Sequence, residues 1–131
     1  MSHTTDESTP VEMPSILFLG NDLMFQSKIS AACTVAGLKL KVQRNPSALS
    51  PESFESSVPA LVLVDLGLPN LDLHNLVPAI RTALPSVKLL GYGAHVLADR
   101  LDEAGQLGFD AVLTRGQFDR DMVNIFQSIP R

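Results

Sequence analysis

The sequence predicts an α/β fold: five β-α units forming a doubly wound (βα)5 sandwich around a parallel five-stranded sheet. Three observations predict it. Ser15–Leu19 (SILFL) is a short apolar run, and Leu61–Asp65 (LVLVD) has four continuous apolar residues ending on a carboxylate; both are closed by turn residues, the pattern of strands buried on both faces. Between such runs the apolar residues recur at helical rather than strand spacing. Leu38–Val42 (LKLKV) instead alternates apolar and basic side chains. That marks a half-exposed strand at a sheet edge, where lysines also discourage pairing with other chains.

The elements follow in order. Residues 1–14 are polar, rich in Ser and Thr and end in Pro14, so they read as a tail, with the domain occupying 15–131. After the first strand, Gly20, Asn21 and Asp22 form a turn. Phe25, Ile29, Cys33 and Ala36 then lie on one helical face, with Asp22 or Asn21 as N-cap and Gly37 past the end. Ser50-Pro51-Glu52 suits the start of a short helix carrying Phe54 and Val58. Beyond Asp65, Asp72 caps a helix that buries Leu73, Leu76, Val77, Ile80 and Leu84. Pro78 requires that helix to begin near His74 or Asn75, or else to kink. Val87–Tyr92 forms the fourth strand and Ala98–Gln106 the next helix, with Leu101, Ala104 and Leu107 inward and Gly108 as its stop. Ala111–Thr114 forms the fifth strand. Asp119 opens a last helix with Met122, Ile125, Phe126 and Ile129 on one side.

Composition narrows the function. The chain has 131 residues, enough for a single domain with a proper core. No apolar run approaches the roughly 20 residues that span a bilayer, and the polar start lacks a basic-then-apolar leader. One cysteine, Cys33, excludes an internal disulfide and fits a reducing compartment, so the expected location is cytoplasmic. Within its helical pattern Cys33 reads as a small core residue. A net charge of −4 without a basic stripe gives no nucleic-acid footprint. There is no Gly-rich phosphate loop of either common type and no Trp, which argues against a flavodoxin-like small-molecule binder. His74 and His95 have no acid or cysteine at metal-ligand spacing.

An exposed second strand at one edge fits the order 2-1-3-4-5 of flavodoxin-like folds. In these folds ligands bind beyond the carboxyl ends of the strands, at the switch point. That mouth gathers Gly20–Asp22, Asp65–Gly67, Gly91–His95 and Arg115–Gly116. Here the chain resembles the receiver domain of bacterial two-component response regulators. Residues 61–81, LVLVDLGLPNLDLHNLVPAIR, match the pattern of an apolar strand, an acceptor aspartate, an L-x-x-P turn followed by an acid, and a helix ending in Ile-Arg. Residues 106–115, QLGFDAVLTR, match the run around the fifth strand.

The resemblance places Asp65 at the phospho-acceptor position. It also implies a Mg²⁺ held by that acceptor and two acids after the first strand, where this chain has Gly20 and Asn21, with Asp22 one residue further on. Mg²⁺ depends strongly on carboxylate ligands in octahedral geometry, so no confident metal site is expected; Asp65 and Asp22 are the only candidates. The switch hydroxyl of the fourth strand falls at Gly93, followed by Ala94. The lysine of the fifth strand becomes Arg115, which keeps the charge but not the point geometry of an ammonium; the proline after it becomes Gly116. The aromatic switch position becomes Val112, while Tyr92 reads as a core residue with its hydroxyl at the rim. The expectation is a degenerate receiver, not an enzyme, with Asp65 paired to Arg115 or accepting backbone N–H groups. Its implied partners are a histidine kinase, a phosphotransfer protein or a separate output protein. A homodimer would form across the helix before the fifth strand, that strand and the helix after it, a face carrying Asp99, Arg100, Asp102, Glu103, Asp119, Arg120 and Asp121. The alternatives are a receiver still phosphorylated on Asp65 through Asp22 and Arg115, and a small-molecule binder.

Overall fold

A computed structural model describes residues 13–46, 49 and 58–130. Its elements run β1 (Ser15–Leu19), α1 (Leu23–Ala36), β2 (Lys39–Gln43), β3 (Leu61–Asp65), α2 (Leu73–Ala83), β4 (Lys88–Gly93), a 3-10 turn (His95–Leu97), α3 (Ala98–Gln106), β5 (Ala111–Thr114) and α4 (Arg115–Gln127). The five strands form one sheet in the order β2-β1-β3-β4-β5, with every neighbouring pair parallel. The doubly wound order expected from the alternation of β2 is the one observed.

Alternation along the central strands sorts the core into two layers. Leu17, Leu19, Val62, Val64 and Leu89 pack against Leu73, Leu76, Val77 and Ile80 of α2 and Ala104 of α3. Ile16, Phe18, Leu61, Leu63, Leu90 and Tyr92 face the other way, against Phe25, Ile29 and Cys33 of α1 and Phe118, Met122 and Phe126 of α4. Cys33 is the small core residue its spacing implied, and burial pushes its thiol up to about 11. An edge-to-core tie anchors the far end of the sheet: Arg81 donates to Val87 O at 2.6 Å and to Asp110 Oδ2 at 3.0 Å, and the same oxygen accepts from Leu89 N at 2.8 Å.

Several boundaries differ from the sequence expectation. β2 and β4 each start and end one residue later: β2 pairs Lys39–Gln43 with Ser15–Leu19, and the β4 ladder extends to Gly93 opposite Thr114. α2 begins at Leu73, not at His74 or Asn75, so Pro78 lies inside it. The first turn forms on Asp72, whose carbonyl accepts from Leu76 N at 2.9 Å. Burial of Leu73, Leu76, Val77 and Ile80 offsets the missing proline N–H, a defect of about 3 kcal/mol when uncompensated. α4 begins at Arg115, not Asp119, because Thr114 and Gln117 form a capping box, which satisfies two otherwise unbonded N–H groups directly after β5. The tail to residue 12 and the short helix expected from Ser50, including Phe54, lie outside the described residues. Val58 just after that segment is exposed.

Candidate functional site

The carboxyl ends of β1, β3, β4 and β5 meet at one mouth, because all four strands run parallel and in register. Asp65 ends β3 there and is only 6% exposed. Its Oδ1 accepts from Gly67 N at 2.9 Å, within a turn closed by Leu68 N to Asp65 O at 3.1 Å. Asn70, further along this loop, holds φ at +59°, a left-handed conformation that asparagine tolerates better than most residues.

Burial is the main influence on Asp65 and pushes its carboxyl up, against the lowering effect of the Gly67 and Asn21 N–H groups and of Arg115; the Asp22 charge adds to the rise. A carboxyl raised on folding binds its proton more tightly in the folded chain than in the unfolded one. Its contribution to stability is therefore present below the ordinary carboxylate range and is lost as pH rises through the folded value. We expect the stability of the native chain, relative to Asp65→Asn, to fall as pH is raised from the acid side, measured by urea unfolding across a pH series. A relative stability that climbs with pH would show that hydrogen bonding outweighs burial at this carboxyl.

Arg115 does not pair with Asp65. Its Nη2 lies 2.9 Å from Asp22 Oδ2, and its guanidinium stands 5.1 Å from the centre of the Phe25 ring. The approach to Asp22 is close in distance but off the N–H axis, since Oδ2 has no hydrogen bond. Asp22 Oδ1 caps α1 by accepting from Phe25 N at 3.0 Å. Of the two sequence alternatives for Asp65, the backbone N–H partner is the one observed. Asp22 is the N-cap, and the cation of β5's end sits on it.

The space beside Gly20 and Gly93 is occupied by neighbours. A Cβ placed on Gly20 would lie 2.5 Å from Phe18 Cζ, 2.7 Å from Phe18 Cε1 and 2.9 Å from Asp65 Cβ. No side chain fits there unless Phe18 moves. A Cβ on Gly93 would lie 3.3 Å from Leu101 Cδ1, 3.4 Å from Leu66 Cβ and 3.7 Å from Leu97 Cδ1. Leucines from the β4–α3 connection and α3 thus surround Gly93. Phe18, Leu97 and Leu101 are site residues that sequence reasoning missed. For Phe18 a signal existed: it shares a strand face with position 20, two residues on.

Two further expectations are corrected. Tyr92 is fully buried, stacked on Phe25 and Phe118 at centroid distances of 5.0 Å each, so its hydroxyl is inside and not at the rim. Val112 is half-buried against the opposite core layer. His74 does meet an acid, Glu103 of α3, with Nε2 to Oε2 at 3.0 Å. That pair is exposed, and among the described residues no three His, Cys, Asp or Glu side chains converge as a metal site. The donor set at the mouth does not fit a divalent cation of the Mg²⁺ type, which gains most from several free carboxylates. Asp22 already faces Arg115 and Phe25 N, Gly20 brings no donor, and its place is closed by Phe18. No helix among the described residues is long and apolar enough to cross a membrane.

With this geometry in hand, comparison with known proteins is informative at the level of fold. No family model matches the chain, and no curated protein matches it in sequence. Solved structures do. Full-length FixJ from B. japonicum aligns over 91% of this chain with a TM-score of 0.74 and 17% identity. The chain has the receiver fold. It spans 58% of the FixJ chain, but 99% of the receiver domain of the TMAO respiratory regulator TorR, at a TM-score of 0.71, 17% identity and 89% of this chain. It also aligns with the receiver domain of a sensor histidine kinase from Pseudomonas aeruginosa, a structure with a magnesium ion coordinated in its active-site cleft. There the TM-score is 0.72, the identity 20%, and the coverage 90% of this chain and 98% of that one. The fold sets Asp65, Gly20, Asn21, Gly93 and Arg115 around a single mouth at the carboxyl ends of the strands.

Proposed function

We propose that the chain is a receiver-like signalling module of a two-component phosphorelay that acts by protein–protein contact, with its Mg²⁺-dependent phosphorylation site impaired. One observation carries the reading: at the mouth of a receiver fold, the position of the first metal-binding acid is a glycine whose side-chain space is filled by Phe18 and Asp65 Cβ. Asp65 keeps the acceptor's position, but among the described residues no cluster of acids converges beside it to hold a cation against an incoming phosphoryl group, whose oxygens need such neutralisation. Leucines stand where a hydroxyl would follow that group. The module is accordingly not an enzyme. It works in the cytoplasm, and its partners are a histidine kinase, a phosphotransfer protein or a separate output protein.

The face built from α3, β5 and α4 is the favoured docking surface. Among the described residues β5 is the last strand of the sheet, and both helices beside it are held in place by cross-links to their neighbours. Lys28 Nζ of α1 reaches Asp119 Oδ2 of α4 at 3.2 Å, and His74 of α2 reaches Glu103 of α3. Such exposed pairs contribute little energy, but they fix where the charges stand. The test is direct. The intact protein is incubated with a small phosphoryl donor and Mg²⁺ and weighed by mass spectrometry. We expect no stoichiometric gain in mass. A full phosphoryl increment that disappears in Asp65→Asn would establish the competing reading, an active receiver using Asp65 with Asp22 and Arg115.

A further inference from the structure

Leu66 and Leu71 mark the two ends of the loop that leads from Asp65 to α2, and both are buried. Backbone carbonyls in such places need donors. Here the donor comes from another element. Arg100 of α3 donates from Nη1 to Leu66 O at 3.5 Å and to Leu71 O at 3.4 Å. Both bonds are long, but their donor is a cation, and a single group clasps the loop at both ends. Glu103 stands three residues on, a spacing at which a helix pairs opposite charges. It meets His74 of α2 instead, at 3.0 Å, and among the described residues no carboxylate pairs with Arg100. The partly buried guanidinium is thus committed to the loop.

Asp65 acts on the same loop from its first residue. Its Oδ1 accepts from Gly67 N and its carbonyl accepts from Leu68 N. Asn70, with φ at +59°, lies inside the span that Arg100 closes, and such a backbone persists only where its surroundings hold it. Leu97, just before α3, completes the contact: a Cβ on Gly67 would lie 3.7 Å from Leu97 Cδ1 and 3.3 Å from Asp65 Oδ1.

We propose that Arg100 is a positioning residue that couples the Asp65 loop to the face of α3, β5 and α4. A change at the Asp65 carboxylate alters the Gly67 turn, the turn shifts Leu66 O, and the guanidinium carries the shift to α3. The inference rests on the reading of that face as the docking surface, but the coupling is measured in the free chain, with no partner and no phosphoryl donor. Its failure therefore leaves the mass measurement untouched.

Arg100→Met keeps an aliphatic stem of similar length and removes every donor. Backbone amide shifts of the full chain are compared for wild type, Asp65→Asn, Arg100→Met and the double variant. The effect of Asp65→Asn on the amides of Ala104–Gln106 is expected to fall by half or more when residue 100 is Met. Its direct effect on Gly67 is expected to remain. Glu103→Gln unfastens α3 from α2 but spares the clasp, so in that background the effect on Ala104–Gln106 is expected to match wild type. Hydrogen exchange gives a second measure. The Gly67 and Leu68 amides are expected to exchange about tenfold faster in Arg100→Met, as loss of a hydrogen bond to a charged group allows. The Leu89 amide, held by Asp110, is expected to keep its rate, whereas a merely structural role would speed all three alike. The proposal is overturned if Asp65→Asn reaches Ala104–Gln106 equally with Arg and with Met at position 100. It is also overturned if Glu103→Gln is the change that abolishes the effect, or if Gly67 and Leu68 exchange no faster relative to Leu89.

Discussion

Phe118→Ala is expected to destabilise the chain by about 4 kcal/mol, the range for emptying a large aromatic site in a core. Phe118 is fully buried and is the hub of the ring cluster: its centroid lies 5.0 Å from Tyr92, 5.9 Å from Phe25 and 6.2 Å from Phe126. Those rings come from α1, β4 and α4, so the cavity would open where three elements meet and none can collapse alone. With total stabilities of about 5–15 kcal/mol for domains of this kind, the variant would retain a small margin. Urea unfolding followed by Tyr92 emission would show the midpoint fall by about 2 M, given slopes of about 1–3 kcal/mol per molar. Val123→Ala on the same helix is the control. Val123 is 39% exposed, and a change there should stay within about 0.5 kcal/mol. A Phe118→Ala loss no larger than that of Val123→Ala would mean that the aromatic cluster does not hold α4 to the sheet.

The fold was legible because its signals are redundant. β1 and β3 are each apolar at four consecutive positions, Ile16–Leu19 and Leu61–Val64, and lie inside the sheet, so residues on both faces had to be hydrophobic. The strand LKLKV could only be an edge, and from that single assignment the strand order followed. Helix limits were legible where a local device sets them: Asp22 caps α1 through its side chain, and Gly37 ends it at φ +74°. They were misread where two devices compete. At α4, Asp119 offered a plausible cap, but Thr114, five residues earlier, forms a reciprocal box with Gln117, and two satisfied N–H groups outweigh one. At α2, tertiary burial carried the helix through Pro78, which local propensity alone would not allow.

The candidate site was legible in what it lacks and illegible in what replaces it. Gly20, Asn21 and Gly93 stand where the resemblance to receivers leads one to expect carboxylates and a hydroxyl. Nothing in the linear pattern says that Phe18 turns its ring into the first gap, or that Leu97 and Leu101 surround the second. Those are long-range packing facts, decided by which side chains share a strand face and by where a loop settles. Arg115 shows the same limit. Its charge was visible, but the choice between two carboxylates depended on geometry. Asp22 is partly exposed, whereas Asp65 is buried. A guanidinium keeps more of its hydration by meeting the outer one.

This filling makes a strong demand on any attempt to restore the site. Gly20→Asp returns the residue type expected of a metal-binding receiver, yet it is expected to cost about 4 kcal/mol. Overpacking accounts for about 1–3 kcal/mol, since the new Cβ would meet Phe18 Cζ at 2.5 Å and Asp65 Cβ at 2.9 Å. The remainder is the burial of a second carboxylate beside Asp65 with no cation to neutralise it. Combining it with Phe18→Val removes the ring that closes the gap. The added cost of Gly20→Asp in that background should fall by about 1–2 kcal/mol, a coupling expected only between residues in contact. Mg²⁺ would then raise the unfolding midpoint of the double variant, because an ion bound to the folded state alone stabilises it. It would leave the midpoint of Gly20→Asp unchanged. Urea unfolding of the four proteins with and without millimolar Mg²⁺ decides the matter. If Gly20→Asp alone is as stable as wild type and gains stability with Mg²⁺, the mouth is merely short of an acid. If only the double variant responds, the metal site has been closed by packing, and Phe18 is the residue that closes it.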